Sequence, residues 1–377
     1  MKKKKILFVF GTRPEAIKMA PLVLKAQENP VFDVKVCVTG QHREMLDQVL
    51  NIFNIKTDFD LNLMKPNQTL NNVTVDVVSG LDKILKNESF HCVLVHGDTS
   101  TTMASSMTAF HSKIPVAHIE AGLRTHNINS PWPEEMNRRV AGLVSTWHFA
   151  PTQKSAENLI REGVSTDKVF VTGNTVIDAL SMISTRIDKS SELKDELQSS
   201  FKFLDNRKII LVTGHRRENF GDSFLSICKG LKKLALSNEN IQIVYPVHLN
   251  PNVQKPVNEI LSDVSNIFLI DPQEYIPFIY LMKKSFMIIT DSGGVQEEAP
   301  SLGKPVLVMR STTERPEALE AGTVKLVGSD GERIFKEATS LLDNQDEYNK
   351  MKMTTNPYGD GLACDRILEV LNNEIRI

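Results

Sequence analysis

Short runs of Val, Ile and Leu, mostly without polar alternation, recur along this chain between longer amphipathic stretches. They lie at residues 6–10, 34–38, 91–95, 115–119, 169–171, 209–212, 241–245, 267–270, 286–289 and 305–309. A strand with one face in water alternates apolar with polar side chains, whereas a strand covered on both faces has no such need. The runs therefore predict parallel sheets covered by helices. Their strand, helix, strand order predicts doubly wound α/β architecture.

An internal echo refines that expectation. Residues 5–15 (KILFVFGTRPE) align with residues 208–218 (KIILVTGHRRE). In each, an apolar strand ends at glycine, an arginine follows two positions later and a glutamate two beyond that. A chain of 377 residues is long for one domain and comfortable for two. One domain is expected over 1–188 and a second over 207–363, joined by the polar, partly helical stretch 189–206 (KSSELKDELQSSFKFLDN).

Composition narrows the function classes. Lys and Arg number 44 against 46 Asp and Glu, so no global field gathers nucleic acid or anionic lipid, and anion binding has to be local. Cys37, Cys92, Cys228 and Cys364 lie far apart without a CxxC pair, which disfavours zinc or dithiol chemistry. Lys2 to Lys5 could open an export signal, but the apolar run behind them ends after five residues at Gly11. No stretch approaches a membrane span. The chain is expected to be cytoplasmic.

In open α/β sheets, ligands bind at the carboxyl ends of the strands. The residues just past each apolar run are therefore the candidates. After the first come Arg13 and Lys18, around Pro14 in the first turn of a helix, where exposed N–H groups favour an anion. A solvated helix start with a surface lysine explains them equally well. No GxGxxG or GxxxxGK[ST] is present. Asp98, in residues 96–102 (HGDTSTT), follows a buried strand and can equally serve as an N-cap.

Glu120, in residues 118–124 (HIEAGLR), ends a strand before Ala-Gly and has no capping role, which sets it in a cleft beside Asp98. Two carboxylates at adjacent strand ends repel, raising one pKa into the range of acid–base work. In residues 130–139 (SPWPEEMNRR), Pro133 starts a helix and Glu134 and Arg138 fall at i and i+4. A surface ion pair there would contribute only about 0.3–0.5 kcal/mol.

In the second half, His215 occupies the echo of the first turn beside Arg216 and Arg217. Residues 290–299 (TDSGGVQEEA) end a strand in a turn, Ser292, Gly293 and Gly294, that lets backbone N–H groups approach a diphosphate. Glu298 follows one turn later, where a carboxylate can accept ribose hydroxyls. Arg310 and Arg315 add charge on the same rim.

Taken in order, GTRPEAIKMAPL, TGQHREMLDQ, VHGDTSTT, HIEAGLRT, SPWPEEMNRR, TGNTVIDA, TGHRRENFG, YPVHLNP, TDSGGVQEEAPSLGKPVLV, TERPEA and NPYGDG resemble the non-hydrolysing UDP-N-acetylglucosamine 2-epimerases over nearly the whole chain. That resemblance implies a GT-B-like fold with two Rossmann-like domains facing across a cleft, and closure for turnover. The helical segment 364–377 would return to the first domain. The reaction it implies needs no nicotinamide and no metal. UDP is eliminated from C1 as the C2 proton leaves, and adds back to a 2-acetamidoglucal after reprotonation on the other face.

Asp98, Glu120 and Glu134 are then the acid–base set, with Arg138 beside them. Arg13, Lys18 and His215 stabilise diphosphate charge. Ser292, Gly293, Gly294, Glu298 and Arg315 hold diphosphate and ribose, and Gln273 and Phe278 lie around the uracil. Gln41, His42, Gln68, Arg216 and His248 resemble a second UDP-GlcNAc site used for allosteric activation, with Glu44 and Asn67 nearby in sequence. A homodimer, and a product feeding cell-wall or capsule polysaccharide synthesis, are implied in the same way, with no nucleic-acid or membrane partner. A retaining glycosyltransferase, a hydrolysing 2-epimerase and a UDP-sugar sensor share enough of the pattern to stand as alternatives.

Overall fold

The computed structural model describes residues 2–40, 43–65, 68–352 and 355–376. The chain divides into two compact units, Met1–Ala179 with Tyr358–Ile377, and Leu180–Pro357. The boundary falls inside helix Thr175–Lys189.

The first unit holds strands β1 (Lys4–Phe10), β2 (Phe32–Val38), β3 (Phe59–Asp60), β4 (Cys92–His96), β5 (Val116–Ile119), β6 (Trp147–Ala150) and β7 (Val169–Val171). They form one parallel sheet in the order β3-β2-β1-β4-β5-β6-β7. The second unit holds β8 (Lys208–Thr213), β9 (Ile241–Pro246), β10 (Ile267–Ile270), β11 (Met287–Thr290), β12 (Val306–Val308) and β13 (Val324–Leu326). These are again all parallel, in the order β10-β9-β8-β11-β12-β13. Each unit is a Rossmann-like doubly wound sheet, and two such units in one chain make the fold GT-B-like.

Burial explains the sequence pattern. Ile6 to Phe10 are wholly inaccessible, as are Val93 to Val95 and Ile210 to Val212, because helices cover both faces. In the second unit Ile210, Val212, Ile243 and Ile289 pack with Ile227 and Leu231 of helix Asp222–Leu236 and Ile334 of helix Gly331–Asp343. Removing one such side chain to alanine costs about 2–5 kcal/mol. Among the described residues no helix is long and apolar enough to cross a membrane.

Three strands escaped the sequence pattern. β6 reads Trp-His-Phe-Ala and is buried throughout without a Val, Ile or Leu. β3 and β13 are two and three residues long at sheet edges, where burial on both faces is not required. Helix Ala363–Glu374 belongs to the first unit; the Lys4 ammonium donates to the Asn372 carbonyl, and Trp147 Nε1 donates to Glu374 at 3.1 Å.

Candidate active site

In a doubly wound sheet the crevice opens where strand order reverses, beyond the carboxyl ends of the two central strands. The reversal falls between β1 and β4 in the first unit and between β8 and β11 in the second. Arg13, Lys18 and Asp98 follow β1 and β4, and Glu120 follows the adjacent β5. His215 and Ser292 follow β8 and β11.

In the first unit, Thr12 caps helix Arg13–Glu28 in a capping box with Glu15. The Glu15 carboxylate is fully buried and accepts from the Gly11 and Thr12 N–H groups at 3.0 and 2.8 Å, and from the Thr99 hydroxyl at 2.7 Å. Burial raises its pKa, and those hydrogen bonds oppose the rise. The Gly11 and Thr12 N–H groups leading into the helix are therefore taken by the chain's own carboxylate. Arg13 stands half-buried at the first position of that helix. Lys18 is ion-paired with the Glu120 carboxylate, so its charge lies beside an acid rather than facing an anion alone.

Glu120 has a left-handed backbone, φ 60°, uncommon for a residue with a side chain. Its Oε2 also accepts from the Asn174 amide at 2.7 Å and lies 3.9 Å from His96 Nε2. Asp98 does not cap the following helix; Thr99 does. The Asp98 carboxylate instead meets Arg138 Nη2 at 2.5 Å, and its carbonyl accepts from Asn137 at 2.9 Å. Burial raises the Asp98 pKa, Arg138 opposes the rise, and the charges of Glu120 and Glu134 push it further up. Glu120 and Glu134 are thus each within electrostatic reach of Asp98.

The simple i, i+4 ion pair that the spacing of Glu134 and Arg138 allows does not form. Arg138 binds Asp98 and, at 3.3 Å, the wholly buried Glu135. Glu135 accepts as well from the Thr125 and His126 N–H groups at 3.0 and 3.2 Å. Those donors draw Glu135 inward and leave Glu134 half-buried at the first position of helix Glu134–Val144.

In the second unit, Asp291 is the counterpart of Glu15. Fully buried at the end of β11, it accepts from the His215 and Arg216 N–H groups at 2.9 and 2.8 Å. His215 stacks on His248 with ring centroids 5.3 Å apart. Burial lowers the His215 pKa; Asp291 raises it, and His248 and Arg216 lower it further. Ser292 stands at the start of helix Gly293–Glu298 with no side-chain cap bond of its own. A Cβ on Gly293 would lie 2.4 Å from Arg315 Nη1, so only glycine lets that guanidinium lie against the turn. Arg315 is also paired with Glu297 and Glu314, each at 2.6 Å, and Arg310 with Glu218 and Glu314. The charge expected on this rim is therefore partly neutralised. Glu298 accepts from the Tyr275 hydroxyl at 3.0 Å.

Gln273 donates to the Asp271 carbonyl at 2.7 Å, and Phe278 is half-buried on helix Tyr275–Lys284. Of the expected activator residues, Arg216 and His248 adjoin His215, and Gln68 in the first unit donates to the Leu63 carbonyl at 2.8 Å. Gln41, His42 and the nearby Asn67 lie outside the described residues. Among the described residues no group of three His, Cys, Asp or Glu could hold a metal.

Glu15, Glu135, Asn137, Asn174 and Asp291 were not singled out from the sequence. Only Glu15 carried a readable signal, the Thr-x-x-Glu capping box.

Three comparisons bear on this geometry. The profile of the family described as UDP-N-acetylglucosamine 2-epimerase matches residues 24–372. The chain is 58% identical over 379 residues to a UDP-N-acetylglucosamine 2-epimerase of Campylobacter jejuni, covering 98% of this chain and 99% of that protein. A crystal structure of a UDP-GlcNAc 2-epimerase from Neisseria meningitidis bound to UDP-GlcNAc superposes with a TM-score of 0.92 at 54% identity, covering 98% of this chain and 100% of that one.

Proposed function

The chain belongs to the UDP-N-acetylglucosamine 2-epimerase family, and from that premise we propose that it interconverts UDP-GlcNAc and UDP-ManNAc without hydrolysis. The C2 proton leaves to a carboxylate as the C1–O bond to UDP breaks, giving 2-acetamidoglucal. Reprotonation on the other face and re-addition of UDP complete the inversion. No cofactor takes part.

The observation that carries this reading is the trio Asp98, Glu120 and Glu134, with Arg138 on the first and Lys18 on the second. Removing and returning a proton on two faces of one carbon needs more than one carboxyl group, with pKa values held apart. Burial and mutual repulsion raise Asp98 toward the working range, and Lys18 and Arg138 keep the ionised forms accessible. In the second unit, the Ser292–Gly294 turn, Arg315 and His215 are suited to the charge that gathers on departing UDP. Glu298 would take the ribose, Gln273 and Phe278 the uracil. Arg13 would serve the diphosphate from the first unit.

Arg216 and His248, with Gln68, Gln41 and His42, would hold a second UDP-GlcNAc as activator. A cytoplasmic homodimer supplying ManNAc for surface polysaccharide completes the proposal.

Incubating the purified protein with UDP-GlcNAc alone tests it. UDP-ManNAc is the expected product. Free N-acetylmannosamine with UDP would make the enzyme hydrolysing, and no conversion without a sugar acceptor would favour a glycosyltransferase.

A further inference from the structure

We propose that Asn174 is a positioning residue for Glu120, and that the returning segment at Tyr358–Gly359 holds Asn174 in place. The inference rests on the acid–base reading of Glu120. It assigns a task to two sequence segments, 172–179 (TGNTVIDA) and 356–361 (NPYGDG), that the reaction as described leaves without one.

Asn174 is nearly inaccessible and sits just before helix Thr175–Lys189. Its Oδ1 accepts from the Val176 N–H at 3.1 Å, in the first turn of that helix. This fixes which end of the amide points where: Nδ2 is left to donate to Glu120 Oε2 at 2.7 Å. The main chain of Asn174 is pinned in turn, its N–H donating to the Tyr358 carbonyl at 2.7 Å. Gly173 packs on Gly359 so closely that a Cβ on either would lie 3.3 Å from the other's Cα. Asp178 accepts from the Ala363 and Cys364 N–H groups at 3.2 and 3.0 Å, and Arg366 donates to the Thr172 carbonyl at 3.0 Å. The C-terminal segment is thus buckled to the turn that carries Asn174.

A capping role alone would not require asparagine, because aspartate caps a helix start as well. What aspartate lacks is the N–H at the far end. Glu120 already occupies a left-handed backbone, so its side-chain direction depends on what grips it. The charged and titratable groups around it are Lys18 on helix Arg13–Glu28, His96 at the end of β4 and Asp98 beyond it. Asn174 is a neutral donor among them, stabilising the ionised carboxylate without competing for its proton.

Asn174→Asp separates the two roles. It keeps the cap but sets a carboxylate where the amide donor stood. Expected at neutral pH is a kcat lower by about 10–100-fold with KM within about threefold, an acid limb of the kcat profile moved up by about one pH unit or more, and a melting temperature lower by only a few degrees, the linked cost of that shift with the cap retained. If Asn174→Asp does not fold, Asn174→Ala must show the same upward movement. An unmoved acid limb in either folded variant, while Glu120→Gln is inactive, overturns the inference. Full activity in Glu120→Gln would overturn the reading of Glu120 itself, a separately visible result.

Discussion

Two adjacent glutamates, Glu134 and Glu135, differ in what each carboxylate meets, and that difference separates activity from stability. Glu135 accepts two main-chain N–H groups and shares Arg138 with Asp98, with no access to water. Glu135→Gln weakens that grip on a buried guanidinium, and a loss of about 1–3 kcal/mol in urea unfolding is expected. Glu134→Gln should leave unfolding within about 0.5 kcal/mol and lower kcat by about 10²–10⁴-fold. The reverse assignment of stability and activity would contradict the geometry. The sequence made Glu134 and Arg138 neighbours by helical spacing; Arg138 meets Asp98, and Glu134 acts on Asp98 through its charge. The spacing could not reveal that N–H groups at Thr125 and His126 compete for the next carboxylate, because those donors come from a loop nine and ten residues upstream.

At the scale of elements, strands β4, β5 and β6 each bury one histidine: His96, His118 and His148. Burial lowers their pKa values to about 4, about 3 and about 4 respectively. The sign follows from linkage. An unfolded histidine takes a proton below about pH 6.5, and the folded one refuses it until about pH 4, so stability falls as pH drops through that window. Each neutral histidine contributes a slope of about 1.4 kcal/mol per pH unit. The raised carboxyls Glu15 and Asp98 pull the opposite way, so a variant comparison isolates the effect. In His148→Gln, the stability lost between pH 7 and pH 5 should be smaller than in the unaltered chain by about 2 kcal/mol. An equal loss would contradict a neutral His148.

The same strands mark how far the elements were legible. Runs buried on both faces announced themselves as Val, Ile and Leu. β6 did not, because its four residues, Trp147 to Ala150, include none of those three. The echoed turns were legible as strand, glycine and helix, but not in how they are filled. Glu15 occupies the first turn from within its own segment, whereas the second is filled by Asp291 from β11 while Glu218 pairs with Arg310.

For the whole molecule, the repeated strand, helix, strand succession was legible because it is written in hydrophobicity twice over, and each sheet reverses its order once, beside Arg13 and Asp98 in the first unit and beside His215 and Ser292 in the second. Long-range side-chain pairing was not, since contacts such as Lys18 to Glu120 or Asn174 to Tyr358 join residues with no shared periodicity. The central claim is that carboxylates of the first unit take the C2 proton and return one on the other face. It is tested most directly by incubating the protein with UDP-GlcNAc in D2O and reading deuterium at C2 by NMR. The account predicts deuterium at C2 of the UDP-ManNAc formed, and none with Asp98→Asn. UDP-ManNAc formed with its C2 proton retained would contradict it.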